Sequence, residues 1–283
     1  MQRFYPFLFV FLWSTGFIGA KYGLPYAEPL SFLLTRYGLV IGLMTAIALV
    51  TRAPWPKDKM QWLHIGISGL LVHAVYLGGV FVAIKHGLPA GITALLVGMQ
   101  PLLTGFGAGW LLGEKVSQRQ WLGLALGFVG VSLVVSGKFD GAAVGPMLIP
   151  AIIALLGITA GTLYQKRFCA KFDLRSGSVI QFVPTAVITA IAVALFEDYR
   201  IEWSGQFVFA LGWLVLVLSI GAISLLNLLI RSGSAVNVAS LFYLTPLSTA
   251  LIAWLIFGEN LTLTAAFGMA LAVSGVYLVA RTK

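Results

Sequence analysis

The stretches "PLLTGFGAGWLLGE", Pro101 to Glu114, and "PLSTALIAWLIFGE", Pro246 to Glu259, have one design and lie 145 residues apart. Each is an apolar run that opens on proline and closes on Gly-Glu. The same offset pairs Ala94 with Ala239, Thr104 with Thr249, Gly123 with Gly268 and Gly130-Val131 with Gly275-Val276. It also pairs Gly16 with Gly161, Lys21 with Lys166 and Ser31 with Ser176. Leu and Val identities are common in apolar runs. Pro, Gly and Glu recurring at fixed spacing are the informative matches.

Composition sets the solvent for these runs. Of 283 residues, 59% are apolar and 10% charged, and the mean hydropathy is +0.97. A soluble domain carries about a quarter charged residues, so this chain is read as an integral membrane protein. A helix needs about 20 apolar residues to cross a bilayer. Ten candidates appear, at 4–22, 30–51, 61–84, 89–112, 119–137, 145–167, 176–196, 205–230, 234–257 and 263–281. The first is longer than the roughly 7–15-residue core of a secretory signal, so it reads as a retained span. Short breaks such as "TRAPWPKDK" and "GEKVSQR" leave no room for a separate soluble domain.

Charge supplies direction. One set of alternating span ends holds Arg3, Arg52, Lys57, Lys59, Lys115, Arg119, Lys166, Arg167, Lys171, Arg175, Arg231, Arg281 and Lys283. The other holds Lys21, Lys85, Lys138 and Arg200. The rich side is expected to be cytoplasmic, with both termini there. The +9 net charge is thus read as topology rather than as nucleic-acid binding. Five spans per half is an odd number, so the second half enters the membrane from the opposite side. The expected fold is all-α, ten transmembrane helices in two inverted five-helix repeats, 1–140 and 141–283. That architecture places sites near the bilayer midplane.

The repeated motif also reads locally. Gly113 and Gly258 suit the left-handed position that ends a helix. Ser117 and Thr262 suit the next N-cap, and Ser117 with Gln120 makes a capping box. Glu114 and Glu259 fall near a helix C-terminus, where the dipole disfavours them. A compensating contact is expected, with amides of the following helix as candidates, and a gating role is the alternative.

At these residues the sequence resembles the drug/metabolite transporter superfamily, specifically its EamA-type ten-span exporters. The resemblance covers nearly the whole chain and rests on the paired "P…GE…G…GV" pattern, on Arg36 in span 2 and on Gln181 at the matched place in span 7. It implies a bacterial-type inner-membrane carrier of small metabolites, often amino acids or related compounds, usually exported. Superfamily members form dimers in some cases, so a monomer and a homodimer both stay open.

Polar and aromatic residues within spans are costly against lipid and so mark a pathway. The candidates are Trp13, Ser14 and Thr15 in span 1, His73 and Tyr76 in span 3, and Gln100 in span 4. Span 6 adds Thr159, Thr162 and Tyr164, span 8 adds Asn227, and span 9 adds Tyr243 and Thr245. Ser and Thr have a plainer role, bonding their own helix carbonyls, and Tyr and Trp near span ends are commonly interface anchors. His64 and His86 sit at span ends and read as solvated. Arg36, two turns into span 2, either snorkels to the outer surface or binds an anion such as a substrate carboxylate. Pro101 and Pro246 each free a carbonyl one turn earlier, at Val97 and Phe242, and are candidate pivots.

No metal site or cofactor is expected. Cys169 is the single cysteine, the three histidines are scattered, and the acidic residues lie at span ends or in loops. The last point argues against an intramembrane enzyme and for downhill rather than ion-coupled transport, with His73 as the alternative proton carrier. The expected partners are a small-molecule substrate and the lipid bilayer. The competing readings are an exporter of drugs or other organic solutes, a channel, and a membrane protein that transports nothing.

Overall fold

The structure is a computed structural model and describes residues 4–88, 90–136, 145–169, 171–257 and 262–281. Among them lie ten helices long and apolar enough to cross a membrane. They are α1 (Tyr5–Tyr26), α2 (Pro29–Val50), α3 (Lys59–Lys85), α4 (Thr93–Leu112), α5 (Gln118–Ser136), α6 (Leu148–Phe168), α7 (Leu174–Phe196), α8 (Gly205–Ser232), α9 (Ala235–Ile252) and α10 (Leu263–Ala280). Gly258 and Glu259 lie outside the described residues.

The helix ends follow the local chemistry. Gly113 takes φ +67°, and its conformation stops α4 without strain on a side chain. The Ser117–Gln120 capping box forms both of its bonds, at 2.9 and 3.2 Å. Thr262 accepts from the Ala265 amide at the start of α10. Asp58, Asp173, Ser204 and Ser234 cap α3, α7, α8 and α9 in the same way.

Helices at matched positions under the 145-residue offset pack in matched ways. Helix α2 lies on α7 and α5 on α10, while α3 lies on α6 as α8 lies on α1. The α5–α10 contact shows how. A Cβ added at Gly123 would fall 2.6 Å from the Gly275 carbonyl, and one at Gly130 would fall 2.5 Å from the Gly268 carbonyl. Side chains are excluded there, and the two backbones touch. The contact is antiparallel and reciprocal: Gly123 and Gly268 are counterparts in the repeat, as are Gly130 and Gly275.

Four helices depart from regular geometry at telling places. In α4 the helix is interrupted at Gly98 and Met99, just before Pro101. In α9 the turn Leu241–Tyr243 tightens, just before Pro246. Helices α3 and α8 widen into π turns over Leu70–Leu77 and Leu214–Ala222, which are matched positions under the 145-residue offset.

Candidate transport site

The widened turns of α3 and α8 face a cavity between α1, α2, α3 and α8. Its walls include Trp13, Gly16, Ala20, Arg36, Tyr76, Phe81, Leu214 and Leu218, and it encloses about 40 Å³. Water needs only about 10–15 Å³, whereas small-molecule sites run to roughly 300–1,000 Å³. The chain is therefore in a closed state that a solute would have to open.

Among the described residues Arg36 is the one charged wall residue. It is 4% exposed, so it does not snorkel. Its Nε donates to Ser219 Oγ at 2.9 Å, and Ser219 sits in the widened stretch of α8. The ion pairs among the described residues are Lys85–Glu28, Arg175–Asp173 and Arg200–Asp198, all at helix ends. Arg36 has no carboxylate partner among them. Trp13 and Tyr76 stack at 6.3 Å and 11° on the same cavity, and Phe242 of α9 meets the Trp13 ring edge-on at 5.2 Å.

A polar layer lies towards the arginine-rich helix ends. The Tyr37 hydroxyl donates to the His73 carbonyl at 2.8 Å, and the His73 ring stacks on Phe182 at 4.2 Å. Gln181, the counterpart of Arg36, donates to Ser68 at 3.1 Å and to Gln165 at 3.4 Å, and Gln165 donates to Asn227 at 2.8 Å. Gln100 donates to Thr162 at 3.4 Å in a narrow cleft shared with Lys166 and Phe242. Lys166 is held by the carbonyls of Ile230 and Gly233 at 2.8 and 2.5 Å. Both ring nitrogens of His73, together with Gln100 Oε1, Thr104 Oγ1, the Tyr243 hydroxyl and Thr245 Oγ1, are buried without a protein partner among the described residues. Four of those groups flank Pro101 and Pro246, where the helices are already irregular.

Contacts tie the helix ends together on both sides of the bundle. At the lysine- and glutamate-bearing end, Ala27 of the α1–α2 loop pairs with Ile201 of the α7–α8 loop across an antiparallel bridge. Tyr26 bonds Gln206, and Lys85 holds the carbonyls of Leu24 and Ala27. Glu197 accepts from the Leu30 and Ser31 amides and the Ser31 hydroxyl, fixing the start of α2. Tyr26, Ala27, Lys85, Glu197 and Ile201 line an open vestibule of about 550 Å³. Beneath it Phe32 packs on Phe81 and Phe207 at 5.6 and 5.0 Å. At the other end, both carboxylate oxygens of Glu114 lie 3.1 Å from the Ala235 amide at the start of α9. The compensating contact expected for Glu114 therefore exists, but on α9 rather than on the helix that follows it.

The structure brings Trp13, Arg36 and Tyr76 to one cavity, and Gln100 and Thr162 to the second cleft. Ser14 bonds the carbonyls of Val10 and Thr245, joining α1 to α9. Other sequence candidates lie elsewhere. Thr15 accepts from Trp213 on a more exposed face, and Thr159 bonds its own helix at Leu155. Tyr164 bonds His64 at 2.6 Å and packs on Phe168. That contact also removes His64 from the solvated class. Ser219, Gln165 and Phe242 were not singled out from the sequence as site residues. Ser219 had one signal, a lone hydroxyl inside "LVLVLSIGA".

Known proteins agree with this architecture. The EamA-like transporter family model matches twice, over residues 4–136 and 145–281. "Uncharacterized transporter YvbV" of Bacillus subtilis is 29% identical over 95% of this chain and 88% of its own. "Uncharacterized inner membrane transporter YedA" of Escherichia coli is 27% identical over 98% and 90%. A "Probable amino-acid metabolite efflux pump" of Salmonella typhimurium is 25% identical over 97% and 93%. A solved crystal structure shares the fold with a TM-score of 0.79, at 22% identity, over 98% of this chain and 95% of its own. The chain is a multi-pass membrane transporter, and it belongs to the EamA-like transporter family.

Proposed function

We propose that the chain is an inner-membrane carrier that exports small metabolites of the amino-acid class by alternating access. The halves 1–140 and 141–283 act as inverted repeats, with both termini cytoplasmic. The observation that carries this reading is the closed cavity built from α1, α2 and α3 of one half and α8 of the other. The reciprocal antiparallel contact of α5 with α10 supports the inversion, because a two-fold relation makes counterpart residues exchange partners. The printed name of the Salmonella relative supports the substrate class, and the distribution of basic residues supports the orientation.

The carrier runs downhill in this reading. All acidic residues among those described lie at helix ends or in loops, and coupled carriers keep a carboxylate or an equivalent group within the membrane. Rocking takes place about the irregular turns before Pro101 and Pro246. A second reading, export of drugs or other flat organic solutes, is favoured by the aromatic wall of Trp13, Tyr76 and Phe242.

Uptake of labelled amino acids into proteoliposomes, with and without a pH gradient, tests the proposal. Saturable, gradient-independent flux with counterflow is expected. No flux across the panel from folded protein removes the amino-acid reading, and flux of aromatic dyes in its place establishes the second.

A further inference from the structure

We propose that Arg36, held by Ser219, is the docking point for the carboxylate of the solute, which makes small monocarboxylates the substrate class. The inference rests on the carrier reading above and deepens it.

A guanidinium taken out of water loses its hydration and regains it only from an anion and good hydrogen bonds. Arg36 is buried, lines the cavity, and has a neutral serine as its bonded partner on α8. The acidic residues that form ion pairs among the described residues are at helix ends. A structural arginine would be expected to carry its counter-charge permanently. One facing a cavity with a neutral partner is arranged to receive a counter-charge that comes and goes. The fork of an arginine matches a carboxylate with two parallel bonds. A phosphate monoester would bring up to two charges, and among the described residues no second cation lines this cavity. Lys166 belongs to the other cleft and is engaged by carbonyls. One positive charge selects one negative charge.

The remaining walls fit the rest of such a solute. Trp13, Tyr76 and Phe81 with Leu214 and Leu218 accept an apolar body. Among the described residues an α-ammonium finds no carboxylate there, only ring faces that attract a cation weakly. The carboxylate is therefore essential and the amino group dispensable. Ser219 lies in the widened turns of α8 and Tyr76 in those of α3. Such turns recur at functional sites, and they place the solute against an element from each half.

The test reads binding separately from flux. Thermal unfolding of purified protein in detergent is followed with leucine, its keto acid, its carboxamide and isoamylamine. A ligand that binds the folded state raises the melting temperature. Leucine and the keto acid are expected to stabilise the wild type, and the amide and amine to need roughly tenfold more ligand or to do nothing. Arg36→Gln is expected to weaken acid binding by roughly ten- to a hundredfold, with Arg36→Lys and Ser219→Ala between. If Arg36→Gln does not fold, Ser219→Ala and the four ligands on the wild type still decide the matter. Equal stabilisation by acid and amide overturns the proposal, as does no stabilisation by either acid. Acid-selective binding without flux in proteoliposomes upholds the docking point and sinks the carrier reading. Flux of leucine and its amide at equal rates does the reverse.

Discussion

Glu114 shows how one residue serves two helices. At the end of α4 its charge faces the negative end of a helix dipole, which is unfavourable. The Ala235 amide places the same carboxylate at the positive end of α9, so its location is favourable only once α9 has docked. Glu114→Ala should therefore cost about 1–2 kcal/mol and lower the melting temperature in detergent. Glu114→Gln keeps an acceptor and should cost less. A melting curve unchanged by the alanine variant would mean that the contact contributes nothing. A smaller pH effect sits at the start of α7. The Arg175 side chain, by hydrogen-bonding Asp173, holds that carboxyl below its ordinary value. Because the folded value is depressed, this stabilisation is complete above the unfolded carboxylate range and disappears as pH falls through the folded value. In Asp173→Asn that component of acid sensitivity should vanish from melting curves taken between pH 7 and acid, in about the carboxylate range.

Between elements, the α5–α10 seam is the contact with least tolerance. A methyl at Gly130 or Gly268 would meet backbone carbonyls rather than movable side-chain tips, so the helices themselves would have to part. Gly130→Ala should destabilise the fold by about 1–3 kcal/mol. Gly38→Ala, with nothing within 4 Å of its added carbon, should be neutral or better, as Ala outranks Gly in a helix. Equal melting temperatures for the two variants would contradict the seam. The elements themselves were largely legible in the sequence, because each span is a long apolar run and each boundary at Gly113, Ser117 and Thr262 is local chemistry. The glycines of "GLALGFVGV" permit close helix approach but do not say against which helix. What was illegible depends on distant residues. The π turns at Leu70–Leu77 and Leu214–Ala222 leave no mark on an apolar pattern. Nothing near Arg36 in the chain points to Ser219, and Tyr164 looks like a cavity residue until His64 is seen beside it.

For the whole molecule, alternating access as proposed requires the vestibule end to part, and the bridge between Ala27 and Ile201 is the place to prevent it. Glu202 N donates to the Tyr26 carbonyl at 2.8 Å beside this pair, so Ala27 and Ile201 face each other without a mutual hydrogen bond. In that arrangement the Cα atoms lie about 4.5 Å apart, within the roughly 4.4–6.8 Å span of a disulfide. Ala27→Cys with Ile201→Cys should therefore oxidise readily and tie the α1–α2 loop to the α7–α8 loop. The native thiol should not interfere. Cys169 is 2% exposed, and burial pushes it up to about 11, so it stays protonated and unreactive at neutral pH. In proteoliposomes the oxidised double variant should lose exchange of its solute, and reductant should restore it. Each single variant should be indifferent to both treatments. Leucine binding by thermal shift should survive reduction unchanged, because neither position lines the Arg36 cavity. A fully oxidised protein that still exchanged at the wild-type rate would show that this mouth need not open, and the path to Arg36 would have to run between the helices instead.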